Sequence, residues 1–201
     1  MYKNKKRICV CGLGKLGASI AAVFDNADFS VVGLDSNIET IDTINKKKSP
    51  IKEPKTDELF ANARLLATND YSYAAVNSDA CIFVLPTPSL PNGTFDNSYL
   101  IHAITRLANC VAKLKKQDYL FIITSTVVPG TCDKVFLSII QSEIPAKLNP
   151  GLAYKPEFIA LGTVVDNLNW PDVVLIGEQN YAVGLEVEDI YSHTTHNTIV
   201  K

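Results

Sequence analysis

The segment Gly12-Leu13-Gly14-Lys15-Leu16-Gly17 constrains this chain more than any other, because it lies where a buried strand gives way to a helix. Arg7 to Cys11 (RICVC) is a short apolar run that stops at glycine, as a parallel strand covered on both faces does. Lys15 to Phe24 (KLGASIAAVF) is alanine-rich and reads as a helix. A G-x-G-x-x-G spacing is weak in isolation and specific between a strand and a helix. There Gly12 permits the tight turn, Gly14 lets a pyrophosphate approach the backbone, and Gly17 lets helix and strand pack closely. The helix start adds free N–H groups and partial positive charge.

A second strand is expected over Ser30 to Asp35, which places a carboxylate 18 residues beyond Gly17. A strand-end acid accepts both ribose hydroxyls of NAD and repels the 2′-phosphate of NADP, so the expected cofactor is NAD. A glycine loop with an acidic strand end also serves S-adenosylmethionine, but the third glycine and the spacing favour the dinucleotide. A glycine turn with a surface aspartate is the bland alternative.

The alternation continues along the chain. Asn37 to Lys47, with Ile38, Ile41 and Ile44 in phase, reads as a helix. Residues 46 to 54 (KKKSPIKEP) read as a loop, Thr56 to Asn62 as a short helix, Leu65 to Ala67 as a brief strand, and Asp70 to Asn77 as a helix. Ala80 to Leu85 is a strand ended by Pro86 and Pro88, and Tyr99 to Lys115 is an amphipathic helix. Tyr119 to Ser125 is a strand and Thr131 to Glu143 a helix. Ala153 to Pro156 and Asp172 to Gly177 are the last strands, and a final helix starts near Gly184. The expected fold class is α/β, a Rossmann-type doubly wound, mostly parallel sheet with helices on both faces.

Composition excludes several roles. The formal charge of −2 gives no basic field for nucleic acid. The run Lys3 to Arg7 reads as a solvated tail. No segment has the apolar length of a membrane span, and no signal peptide is evident, so a cytoplasmic protein is expected. The five cysteines, an odd count, argue against a disulfide framework. Cys9, Cys11 and Cys81 fall in strands and read as small buried hydrophobes. Cys132 has the best case for reactivity, since a nearby helix start would lower its pKa. No metal site is expected.

Several further motifs occur in order: GLDSN (33–37), SPIKEP (49–54), ACIFVLPTPS (80–89), TSTVVPGT (124–131), YKPEFIALGT (154–163) and NWPDVVLIG (169–177). With the glycine loop, they resemble the N-terminal domain of the UDP-glucose/GDP-mannose dehydrogenase family over nearly the whole chain. The resemblance implies oxidation of the C6 alcohol of a nucleotide-linked sugar to a carboxylate with two NAD, and so a place in polysaccharide biosynthesis. It implies that Thr126 lies near the nicotinamide and helps hold a water, that Glu157 does acid/base work in thioester hydrolysis, and that Pro86 and Thr87 touch the cofactor. An ordinary strand-end threonine and a solvated glutamate are the plain alternatives for the first two.

Two departures stand out: Leu161 occupies the place of a second family glutamate, and Lys155 that of an asparagine. By the same resemblance, residues 1–201 are the NAD-binding domain alone. The family's nucleophilic cysteine, catalytic lysine and asparagine lie in a central helix and C-terminal substrate domain outside this sequence. The expected partners are a nucleotide-sugar substrate and either a homo-oligomer or a missing C-terminal half. A non-catalytic dinucleotide-binding module is one alternative. Another is a Rossmann hydroxyacid dehydrogenase, for which His193 and His196, read as tail residues, are the local candidates.

Overall fold

The computed structural model describes residues 7–195 with their side chains and Ile199–Val200 as backbone. Residues 3–6 of the basic run and His196 lie outside them. The elements are β1 (Arg7–Cys11), α1 (Lys15–Asn26), β2 (Ser30–Leu34), α2 (Ile38–Asn45), α3 (Thr56–Asn62), β3 (Leu66–Thr68), α4 (Tyr71–Val76), β4 (Ala80–Phe83), α5 (Ser98–Lys113) and β5 (Leu120–Ile123). A π-helical turn (Cys132–Phe136) then runs into α6 (Leu137–Glu143). A 3-10 turn (Ala146–Leu148), β6 (Gly151–Tyr154), α7 (Val164–Asn169), β7 (Val174–Leu175), β8 (Gly177–Glu178), α8 (Tyr181–Ser192) and β9 (Ile199–Val200) complete the order.

Seven strands form one sheet in the order β3-β2-β1-β4-β5-β6-β8. All neighbours are parallel except β8, which runs antiparallel to β6. The strand alternation sorts the core into two layers. Ile8 and Val10 of β1 pack with Ile20 and Phe24 of α1 and with Val187 and Ile190 of α8. Cys9 and Cys11 face the other way and join Leu100, Ile104, Leu107 and Val111 of α5. The three strand cysteines are thus buried packing groups, with Cys9 opposite Cys81 in register. Both faces are covered, which is why the strands read as continuous apolar runs.

Four sequence expectations change. Asp172 to Gly177 is not one strand: β7 pairs β9 in a separate two-stranded sheet, while β8 joins the main sheet. The helix expected over Thr131 to Glu143 opens as a π turn. An unforeseen α7 covers α1, burying Val164, Val165 and Leu168. Arg7 is not part of a solvated tail, because its guanidinium donates to both oxygens of Asp79, at 2.8 and 2.5 Å. At the β3 edge, the Asn45 side chain acts as a substitute strand. It donates to the Ala67 carbonyl at 3.0 Å and accepts from the Ala67 N–H at 2.8 Å, blunting an edge open to foreign strands.

β1 is flanked by β2 on one side and β4 on the other, so the chain leaves it in opposite directions. That reversal opens a crevice at the carboxyl ends of β1 and β4, where ligands bind in open parallel sheets. Among the described residues, no helix is long and apolar enough to cross a membrane.

Candidate functional site

The crevice is a cleft of about 660 Å³. Its floor is the turn from β1 into α1. Gly12 has φ +94°, and a Cβ there would lie 2.4 Å from the Val84 carbonyl oxygen. A Cβ on Gly17 would lie 1.8 Å from the Gly12 carbonyl oxygen, so the helix start folds back on the loop itself. Gly14 differs: a Cβ there would meet no atom within 4 Å and would project into open space. Gly14 caps α1 without a side-chain hydrogen bond, and the first turn carries no acid. The caps of α2 and α4 are filled by the side chains of Asn37 and Asp70. The amino end of α1 is therefore left for an external acceptor, beside the exposed Lys15.

Asp35, just past β2, fixes this loop from the side. Its carboxylate accepts the Leu13 N–H at 2.6 Å and the Asn37 N–H at 2.8 Å. Asp35 borders both the cleft and an adjoining hollow of about 640 Å³, which also shares Ser36, Leu85 and Tyr99. In the hollow, the Arg106 guanidinium lies 4.4 Å from the centre of the Tyr71 ring, an arrangement that offers a flat face for stacking.

The far wall comes from the loops after β4 and β5, joined by side chains. Ser125 accepts the Leu85 N–H and donates to the Leu85 carbonyl, both at 2.8 Å, replacing a strand residue. The Thr87 hydroxyl donates to the Thr126 carbonyl at 2.7 Å. Thr126 is exposed and lines the cleft, with Pro86 and Thr87 beside it.

Glu157 closes the cleft at the end of β6. Its side chain is 4% exposed and ion-paired with that of Lys155, which is equally buried. The Lys155 ammonium also sits 4.3 Å from the centre of the Tyr191 ring of α8. Burial pushes the Glu157 carboxyl up and the Lys155 ammonium down, and their pairing opposes both shifts. The Tyr191 phenol is driven well up by burial and by the Glu157 charge.

Gly12, Gly14, Lys15, Leu16, Gly17, Asp35, Pro86, Thr87, Thr126 and Glu157 all border this one cleft. Leu13 does not. It is 2% exposed, its side chain fills the space beside Gly33, and its N–H is taken by Asp35. Cys132 borders a separate hollow with Val128 and Gly130, and burial, with Asp133 adding, pushes its thiol up to about 11. The lowered pKa expected from a helix start is overturned, because desolvation outweighs the weak field of a π turn. His193 packs edge-on against Phe29, 5.6 Å between ring centres, and borders no part of the cleft, so it is not a loose tail residue. Among the described residues, no cluster of three or more histidine, cysteine or acidic side chains could hold a metal.

Sequence reading missed Ser125, Tyr71, Tyr99, Arg106 and Tyr191. Of these only Tyr99 carried a signal, as an aromatic on the first turn of an otherwise polar helix face. It also missed Glu53, a buried carboxylate that accepts the Gly162 N–H at 2.9 Å and anchors the segment bearing Leu161. Leu161 itself is 66% exposed.

The model of the UDP-glucose/GDP-mannose dehydrogenase family, NAD binding domain, matches residues 6–195. GDP-mannose 6-dehydrogenase from Pseudomonas aeruginosa is 32% identical over 191 residues, covering 92% of this chain and 44% of its own length. UDP-glucose 6-dehydrogenase from Haloferax volcanii is 34% identical over 177 residues, covering 86% and 41%. A crystal structure of a ternary complex of GDP-mannose dehydrogenase from Pseudomonas aeruginosa superposes with a TM-score of 0.91 at 30% identity, over 96% of this chain and 45% of that one. The chain thus spans under half the length of these relatives.

Proposed function

This chain belongs to the UDP-glucose/GDP-mannose dehydrogenase family as its NAD-binding domain, and we propose that it is the cofactor half of an enzyme that oxidises the C6 alcohol of a nucleotide sugar to a carboxylate. The observation that carries the reading is the convergence of the glycine loop, Asp35, Thr126 and Glu157 on one cleft at the carboxyl edge of the sheet. The donor set fits the cofactor. An uncapped helix start without acids suits a pyrophosphate, and a fixed carboxylate suits a ribose diol. NAD, when bound, supplies hydride acceptance, two equivalents for a four-electron oxidation.

The protein's residues do the rest. The N–H groups at the start of α1 hold the phosphates, and Asp35 accepts from the ribose hydroxyls. The hollow with Tyr71 and Arg106 takes the adenine by stacking. Pro86 and Thr87 shape the wall. Thr126 helps hold a water at the nicotinamide end, and Glu157 takes and returns protons in the hydrolytic step. Residues 1–201 constitute the NAD-binding domain. The central helix and substrate domain of the family supply the nucleophilic cysteine and most sugar contacts, as a further part of the protein or a partner. We place the protein in the cytoplasm and its product in polysaccharide biosynthesis. Titration calorimetry tests the cofactor assignment: NAD binds and NADP binds far more weakly, and absence of NAD binding at millimolar concentration refutes it. Turnover of UDP- and GDP-sugars in the presence of the cysteine-bearing half tests the activity.

A further inference from the structure

Buried lysines are rare, and one whose ammonium is wedged between a carboxylate and an aromatic face has a task to perform. Lys155 is 3% exposed. It follows β6 directly, and its backbone N–H continues the sheet ladder to the Ile123 carbonyl at 2.8 Å, so its Cα is fixed. Its ammonium meets Glu157 on one side and the Tyr191 ring on the other. Pro156 stands between the lysine and the glutamate and limits the backbone of the residue before it. The two side chains are therefore set against each other by rigid elements and not by chance encounter of surface groups. Lys155 does not border the cleft, whereas Glu157 does.

We propose that Lys155 is a positioning residue: a resident counter-charge, held by β6 and the Tyr191 face of α8, that keeps the Glu157 carboxylate ionised and aimed into the cleft. This rests on Glu157 being the proton-transfer group assigned above. The titratable groups that act on Glu157 or feel its charge are Lys155 from its own segment and Tyr191 from α8, and the uncharged Thr124, just past β5, meets Tyr191. Burial alone would drive Glu157 to its neutral form, in which it could not accept a proton. An adjacent ammonium opposes this without exposing the site to water. A lysine suits the place better than arginine because its compact charge fits under one ring.

The test is the titration of Glu157 in the full 201-residue chain, followed by carbon-detected NMR of its carboxyl group and assigned with Glu157→Gln. Lys155→Met is expected to raise the Glu157 midpoint by at least one pH unit, about a tenfold change in proton affinity. Lys155→Arg restores most of it, and Lys155→Asn does not. An unchanged midpoint in folded Lys155→Met overturns the proposal. Should that variant fail to fold, the wild-type chain still decides. The Lys155 Nζ and Glu157 carboxyl resonances must move at the same pH, and independent titration overturns the pairing. NAD calorimetry on the same samples keeps the two readings apart. Loss of NAD binding in the wild type sinks the cofactor assignment and leaves the coupling of Lys155 to Glu157 readable.

Discussion

The two ends of the central sheet are built on opposite rules. At the amino ends of β1 and β4, polar groups satisfy one another. Arg7 grips Asp79 with two bonds, the Lys116 ammonium lies 3.3 Å from the same carboxylate, and the Tyr119 hydroxyl pairs with that of Ser78 at 2.7 Å. At the carboxyl edge of the sheet, polar groups border an opening. The α1 amino terminus has no side-chain cap, Asp35 borders the cleft with its carboxylate bound to two backbone N–H groups, and Glu157 borders it while buried against Lys155. One end closes its hydrogen bonds for stability. The other leaves the α1 amino terminus open to a ligand and relies on tight glycine contacts and loop stitches such as Ser125 to stay rigid.

The contrast is easiest to break at Gly17. Gly17→Ala places a methyl against the Gly12 carbonyl, where only backbone movement can relieve it. The expected destabilisation is about 3 kcal/mol, or roughly 6–12 °C in Tm, with NAD binding abolished. A melting curve that overlays the wild type would show the loop to be slack. Gly14→Ala separates stability from binding. With open space around it, the methyl leaves stability within about 0.5 kcal/mol of wild type. It should weaken NAD at least about tenfold, or ~1.4 kcal/mol, because it occupies the phosphate's place. Retained affinity by calorimetry would mean that the phosphates lie elsewhere.

At the opposite end, Asp79→Ala should lower stability by about 1 kcal/mol at neutral pH, since Arg7 is half exposed and solvent screens the pair. NAD affinity should not change. Burial pushes the Asp79 carboxyl up, but Arg7 and Lys116 prevail and hold it below its ordinary value of 3.8. A depressed folded-state pKa contributes stability above the ordinary value, and the contribution fades as the pH falls through the depressed one. Wild-type and variant melting temperatures should therefore converge in strong acid, and a constant gap would assign the effect to packing instead. The smallest effect is expected at Cys132, which belongs to neither end. With its thiol pushed up to about 11, it should react with disulfide reagents at pH 8 at least about tenfold more slowly than a free cysteine. Rapid labelling would restore it as a candidate nucleophile.

What the sequence determined by itself follows from local rules. Hydrophobic period, glycine spacing and proline punctuation act over a few residues. They placed β1, α3 and α5 within a residue or two, and they located the loop at Gly12 to Gly17 and the acid at Asp35 that border one cleft, in a domain whose family binds NAD. The motif order identified the family and carried Thr126 and Glu157 into the same cleft. Tertiary structure decided what depends on encounters between distant segments. Leu13 left the cleft because Asp35, 22 residues away, took its N–H. Ser125 became a loop stitch through Leu85, 40 residues away. One apolar run divided into β7 and β8 because two different sheets offered partners. The thiol of Cys132 rose instead of falling because desolvation is set by what packs around a group and not by its position on a helix. The ion pair of Lys155 and Glu157 spans two residues in sequence, yet its meaning rests on the Tyr191 ring brought over it by α8. Charge and burial are properties of the folded environment, and no spacing along the chain encodes them.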